Sequence, residues 1–199
     1  MLGSHGREPA ARARWVTSVL SCLVLGCAHA ALIRPPATAP PAAKLFPLAV
    51  GNRWTYRVQF LGADQLLSVS IVSGEPGTFV DNRGQRYHVE RDGIRDDRRY
   101  LLRDPLGPGK GWSSVISLTD TEAYQVAGIN ESIVVPAGHF SGCVRVAGRN
   151  PGAGNAVQLA EQVYCPGVGL VRVTTYEEIG GRRSPPQWSE ELVAYRLQG

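Results

Sequence analysis

The sequence has no apolar run long enough to cross a bilayer. Its longest, Trp15 to Gly26, holds twelve residues. As a helix it would rise about 18 Å, short of a hydrocarbon core of roughly 30 Å. Lysine is nearly missing: 19 arginines stand against two lysines, and the net charge is only +4. Between Asp81 and Asp104, seven arginines face six acids, so that stretch nearly neutralises itself. It reads as a solvated, salt-bridged hairpin and excludes a nucleic-acid surface. Histidine is scarce as well, with only His29, His88 and His139 after residue 26. There is no His-Glu-x-x-His, no paired Cys-x-x-Cys and no Gly-x-Ser-x-Gly. Metal centres and nucleophile elbows of the familiar kinds are thereby excluded. Gly107-Pro108-Gly109-Lys110-Gly111-Trp112 is glycine-rich but lacks the spacing and Ser/Thr of a phosphate loop, so it reads as a turn. Asp92-Gly93-Ile94-Arg95-Asp96-Asp97 lacks the alternating acids of a calcium loop. No catalytic residue, cofactor or metal is expected.

What the sequence does hold begins at its N-terminus. Arg7, Arg12 and Arg14 precede the short apolar run, the order of a secretory signal peptide. The run closes on Val24-Leu25-Gly26-Cys27, which resembles the lipobox of bacterial lipoproteins. That resemblance implies cleavage before Cys27, a lipid on its sulfur and an acylated amine. Several acyl chains hold a protein firmly where one holds it marginally. Residue 28 is Ala rather than Asp, and the same resemblance then implies delivery to the outer membrane, facing the periplasm. Ala28-His29-Ala30 offers the alternative of an ordinary cleavage site that discards Cys27. Loss of residues 1–26 removes three Arg and Glu8, so the net charge falls from +4 to +2.

Residues 27–44 follow as a lipidated cysteine and a Pro/Ala-rich tether, with Arg34-Pro35-Pro36 and Pro40-Pro41. Proline removes donors and favours extended chain. At about 3.1 Å per residue, this tether would reach roughly 50 Å at most. The body, 45–199, has the length of one ordinary domain.

Two-residue periodicity dominates the body. Trp54, Tyr56, Val58 and Phe60 share one face of a strand, and Leu67, Val69 and Ile71 one face of the next. Asp92-Gly93 is a strong hairpin turn between 86–91 and 94–103. Strand patterns recur at 133–135, 143–147, 156–164, 169–179 and 188–197, the last two joined through Gly180-Gly181. The best helical candidate is Leu118 to Val126. The expectation is a single antiparallel all-β domain of about eight to ten strands. A curved sheet, half-barrel or open barrel fits, with a β-sandwich as the alternative.

Three further segments resemble, together, a widespread group of uncharacterised bacterial envelope proteins. They are Leu45-Phe46-Pro47-Leu48-Ala49-Val50-Gly51-Asn52-Arg53-Trp54-Thr55-Tyr56, Val134-Val135-Pro136-Ala137-Gly138-His139-Phe140, and Tyr164-Cys165-Pro166-Gly167-Val168-Gly169-Leu170-Val171. The group implies an extracytoplasmic β-domain and supplies no catalytic residue. Read on their own, Pro136-Ala137-Gly138 interrupts a strand, and Pro166-Gly167 with Gly169 permits a corner. Such a corner marks a bend in the sheet or the approach of a ligand to the backbone.

Cys22 leaves with the signal peptide, and a lipidated Cys27 leaves Cys143 and Cys165. An even pair outside the cytosol reads as a disulfide. The midpoint of 143 and 165 is 154, inside a hairpin loop through Asn150-Pro151-Gly152-Ala153-Gly154-Asn155, so the two cysteines would face each other across neighbouring strands. His139, four residues before Cys143, lacks the companions that a metal or an activated thiolate needs. Glu177-Glu178 and Glu190-Glu191 could approach across the last hairpin as a glycosidase pair, although adjacent acids alternate faces in a strand. The expected protein is a non-catalytic envelope lipoprotein with a structural or accessory role and an envelope protein partner. The alternative is a periplasmic carrier of a hydrophobic ligand such as an acyl chain, held on the Trp54–Phe60 face.

Overall fold

Strand alternation sets the architecture. The computed structural model describes residues 38–60, 62–118 and 120–198. Cys27, the lipobox and most of the tether lie outside the described residues. Trp54, Tyr56 and Val58 on β1 (Arg53–Phe60) oppose Val69, Leu67 and Gln65 on β2 (Ala63–Glu75). An antiparallel meander continues through β3 (Thr78–Asp81), β4 (Arg86–Glu90), β5 (Gly93–Asp96) and β6 (Tyr100–Arg103). A second meander runs through β7 (Gly111–Val115), β8 (Thr121–Val135), β9 (Gly138–Pro151), β10 (Ala156–Cys165) and β11 (Gly169–Ile179). After the two-residue β12 (Arg182–Arg183), β13 (Trp188–Arg196) joins the meanders, pairing with β11 on one side and β1 on the other.

The result is one antiparallel sheet that curls into a nearly closed barrel, not a sandwich. Its two margins, β6 and β7, meet without a ladder. Side chains bridge them instead. The indole N–H of Trp112 donates to the Tyr100 carbonyl at 3.0 Å, and the Tyr100 N–H points at Ser114 Oγ at 3.4 Å. Arg99 reaches across to Glu122 at 2.6 Å. Full closure is what removes edge strands from a β-protein, so these bridges stand in for missing backbone pairs.

Twelve strands form the main path, more than the eight to ten expected. The run 94–103 accounts for one of the extra strands. Asp96 accepts the Arg98 and Arg99 N–H groups at 2.7 and 2.8 Å, which folds the run into β5, a turn and β6. Within the helical candidate 118–126, residues 121–126 are strand. Residues 121–125 pair with β7 and 123–126 with β9, and ladder bonds on two edges outweigh a weak helical pattern. The one helix among the described residues is α1 (Ala42–Leu45), a single turn in a stretch read as tether. Ala42 and Leu45 are fully buried there. The Ala42 N–H donates to the Asp104 carboxylate at 3.1 Å, Ala39 N–H to Leu106 O at 3.1 Å, and Gly167 N–H to Lys44 O at 2.8 Å. The body therefore takes hold of the chain before residue 45.

The core answers the question posed by the β1 face. Trp54 and Tyr56 are buried in one cluster with Leu45, Phe46, Ile71, Tyr87, Tyr164 and Leu192, and Val58 is buried too, whereas Phe60, at the strand end, is 51% exposed. The Phe46 ring sits 5.5 Å from Tyr87, 5.9 Å from Trp54 and 6.0 Å from Tyr164, tilted or edge-on to each. Such ring clusters add about 0.5–1.5 kcal/mol per pair beyond area burial. The corner at 166–169 packs against this cluster. Gly169 holds φ +111°, and a Cβ there would lie 3.2 Å from the Trp54 indole nitrogen and 3.3 Å from Phe46. The Trp54 N–H donates to Val168 O at 2.7 Å. The corner is thus a bend closed by core aromatics.

Cys143 and Cys165 form a disulfide with Cα atoms 4.2 Å apart. The β9–β10 register runs from Pro151↔Val157 to Val144↔Tyr164, so every pair is centred on residue 154, and 143 falls opposite 165. The bond closes a loop of sequence separation 22. On the chain-entropy estimate it adds about 3 kcal/mol.

Candidate functional site

β13 places two acids side by side in sequence and on opposite faces of the sheet. Glu191 opposes Arg57 on β1 and Arg172 on β11, and pairs with Arg172 at 2.9 Å. Glu190 opposes Val58 and Val173 and points into the barrel, 7% exposed. It faces a cavity of about 110 Å³ shared with Trp54, Tyr56, Tyr87, Arg83 and Phe46.

Among the described residues this carboxyl accepts no hydrogen bond, and the hydroxyl, indole and guanidinium groups that line the cavity with it bond other acceptors. The Tyr56 hydroxyl donates to Leu170 O at 3.0 Å. Tyr87 donates to Asp81 at 3.2 Å, and the Trp54 indole to Val168 O. Arg83 spends Nε and one terminal nitrogen on Asp81 Oδ2, at 3.1 and 3.0 Å. The Glu190 backbone is held in the β13 ladders. Burial consequently pushes its carboxyl up to about 6, with the Arg83 charge pulling the other way. The same burial lifts the Tyr56 phenol well above its ordinary range, with Glu190 adding to the rise. Tyr87 rises for the same reason, with Asp81 adding and Arg83 opposing.

A second cavity, about 190 Å³, adjoins the first through Phe46, Arg83, Tyr87 and Leu170. It adds Gln85, Asp96, Leu101, Gln162 and Tyr164, whose hydroxyl donates to Gln162 Oε1 at 2.8 Å. The Arg83 side chain lines both cavities and is 44% exposed, so it marks their mouth. On another side of Phe46 lies an open groove of about 840 Å³, walled by Pro47, Leu48, Phe79, Val89 and Leu197.

Of the residues singled out in the sequence, Cys143 and Cys165 are joined, and Cys27 lies outside the described residues. His139 is the second residue of β9, opposite Val134. The four hairpin glutamates do not converge. Glu178 pairs with Arg149 at 3.2 Å, Glu177 accepts from Gln158 and Gln187, and Glu191 pairs with Arg172. The register sets Glu190 and Glu191 opposite Val173 and Arg172, four or more residues from Glu177. In the sequence Asp81, Arg83 and Tyr87 stand only as part of a self-neutralising charged stretch. Their signal was present: Tyr87 shares a strand face with Val89, opposite Arg86 and His88. Among the described residues, no group of three or more His, Cys, Asp or Glu is placed to hold a metal.

The fold and site together define an antiparallel β-barrel, cross-linked by one disulfide, with a buried carboxyl facing an interior cavity. No family model matches the chain, and no curated protein matches it. Two solved structures are similar. One is a candidate lipoprotein from Parabacteroides distasonis, 16% identical over 76% of this chain and 98% of that chain, with a TM-score of 0.45. The other is a candidate exported protein with a YmcC-like fold from Bacteroides fragilis, 13% identical over 76% and 98%, with a TM-score of 0.47.

Proposed function

We propose that this chain is a bacterial envelope protein, lipid-anchored through Cys27, whose barrel has a non-catalytic structural or accessory role beside a protein partner. The Cys143–Cys165 disulfide carries this reading, because such a bond persists in an oxidising compartment and is rare in the cytosol. The interior supports it too. Phe46, Trp54, Tyr87 and Tyr164 fill the space where an acyl chain would lie. The cavities left there, about 110 and 190 Å³, fall below the roughly 300 Å³ of an ordinary ligand pocket. The test is the mass of the natural product purified from membranes. The expected species starts at Cys27, carries fatty acids and has no free thiol at 143 or 165; a species starting after Ala30 with both thiols free overturns the reading.

One observation favours a second reading, a carrier of an apolar ligand. The groove beside Phe46 is large enough, at about 840 Å³, and carries Leu48, Phe79, Val89 and Leu197. A fluorescent fatty acid should then bind saturably, and Phe79→Asp should abolish that binding. An unaltered titration in the variant removes the carrier.

A further inference from the structure

We propose that the cavity beside Glu190 binds a primary alkylammonium group, with the carboxylate as counter-ion and the rings of Trp54, Tyr56, Tyr87 and Phe46 around its chain. This goes beyond the envelope reading and does not depend on it.

Buried polar groups in folded proteins are almost always hydrogen-bonded, and one that is not calls for an explanation. Glu190 is 93% buried by its 7% exposure and lines the cavity without a partner among the described residues. The donor-bearing side chains that line the cavity, Trp54, Tyr56, Tyr87 and Arg83, each bond another acceptor. The donor that satisfies Glu190 therefore comes from outside the described residues, and the cavity leaves its carboxylate open to one. An ammonium brings three N–H groups and the opposite charge in one small head. Aromatic faces attract the same head, by about 0.5 kcal/mol at exposed sites and more when it is desolvated. Four of the nine lining residues are aromatic, and Val69, Ile71 and Leu170 complete an apolar wall. The adjoining cavity of about 190 Å³, with Leu101, Leu170 and Tyr164, takes a short alkyl chain. The positive charge at the mouth does not bar entry. Arg83 is neutralised by two hydrogen bonds to Asp81. An anion is disfavoured by the same Glu190 carboxylate that an amine would complement.

The experiment is calorimetric titration of the mature protein in detergent micelles at pH 8. The probes are n-butylammonium, n-butanol, n-butyrate and potassium. Saturable 1:1 binding of n-butylammonium alone is the expected result, with Glu190→Gln weakening it at least tenfold. The pH profile gives a second readout that needs no variant. The charged and titratable groups facing Glu190 are Arg83 from the β3–β4 turn, Tyr56 from β1 and Tyr87 from β4. None of the three changes charge between pH 5 and 8, both phenols being raised. Affinity should therefore fall about tenfold from pH 8 to pH 5 as Glu190 takes up a proton. Equal binding of n-butanol or potassium overturns the proposal, as does a Glu190→Gln variant of undiminished affinity. If that variant does not fold, an affinity unchanged between pH 8 and pH 5 overturns it equally.

Discussion

Asp81 and Glu190 are carboxylates buried inside the same barrel, and they meet opposite fates. The Asp81 side chain has no exposed surface, yet it collects five donors. They are the backbone N–H groups of Arg83 and Gln85, both at 2.9 Å, two guanidinium nitrogens of Arg83, and the Tyr87 hydroxyl. Burial alone would raise its pKa; the two backbone bonds and Arg83 outweigh burial and leave it lowered. Glu190 has no such bond among the described residues, and burial raises its pKa to about 6. Position along the strand makes the difference. Asp81 ends β3, and the turn after it leaves N–H groups unclaimed by any ladder. Glu190 sits within β13, paired on both edges, where every backbone donor is already spoken for. A strand end satisfies an acid locally, while a strand middle in a barrel leaves it dependent on other side chains or on a ligand.

Removing the better-held acid should have the largest effect. Asp81→Ala orphans two turn N–H groups and Arg83, and a loss of about 3 kcal/mol in urea denaturation is expected. A loss under 1 kcal/mol would mean that the turn re-forms on water, and the contrast with Glu190 would fade. The opposite sign is expected at the other site. Glu190→Leu should gain about 2 kcal/mol at pH 8, from a carboxyl raised from 4.5 to about 6. The gain should vanish below pH 4.5, where the wild-type carboxyl is protonated, folded or unfolded.

The wild-type protein carries the same signature in its pH dependence. The folded Glu190 holds its proton more tightly than the unfolded chain does. Its contribution is fully present below 4.5 and is lost as pH rises through about 6. Asp81 runs the other way. Its contribution is present above 3.8 and is lost as pH falls through its lowered folded value. A Glu190→Leu variant should therefore flatten the pH 4.5–6 limb of the stability curve and leave the acid limb alone. Smaller still is Tyr87→Phe, which withdraws one of the five donors from Asp81 and should lose about 1 kcal/mol. Smallest is Arg86→Ala, whose partner Asp97 is solvent-exposed; it should leave the urea midpoint unchanged within error.

The strands and the staple were legible because both rest on counting. Alternation from Trp54 to Val58 places large side chains on one face whatever lies opposite. A loop centred on residue 154 fixes which cysteines meet. The site was half legible. Adjacent acids in a strand must split between faces, so one of Glu190 and Glu191 had to point inward. Which one did depends on the bulge in β13 opposite Thr55/Tyr56 and on the pairing with β11, both long-range. Arg83, Tyr87 and Asp81 were hidden because charge density in 81–104 is the same whether a residue faces water or the core. The split of 94–103 turned on one carboxylate, Asp96, gathering the N–H groups of a turn that composition does not announce.

The seam between Tyr100 and Trp112 carries one last consequence. β6 and β7 are neighbours in sequence, joined through residues 104–110, and yet no ladder crosses between them. A protease nick in that connector would remove the covalent tie across the seam and break no strand ladder. Side-chain bridges such as Trp112–Tyr100 and Arg99–Glu122 would then hold the cylinder shut, and if they parted, two strand margins would be offered to an extended peptide.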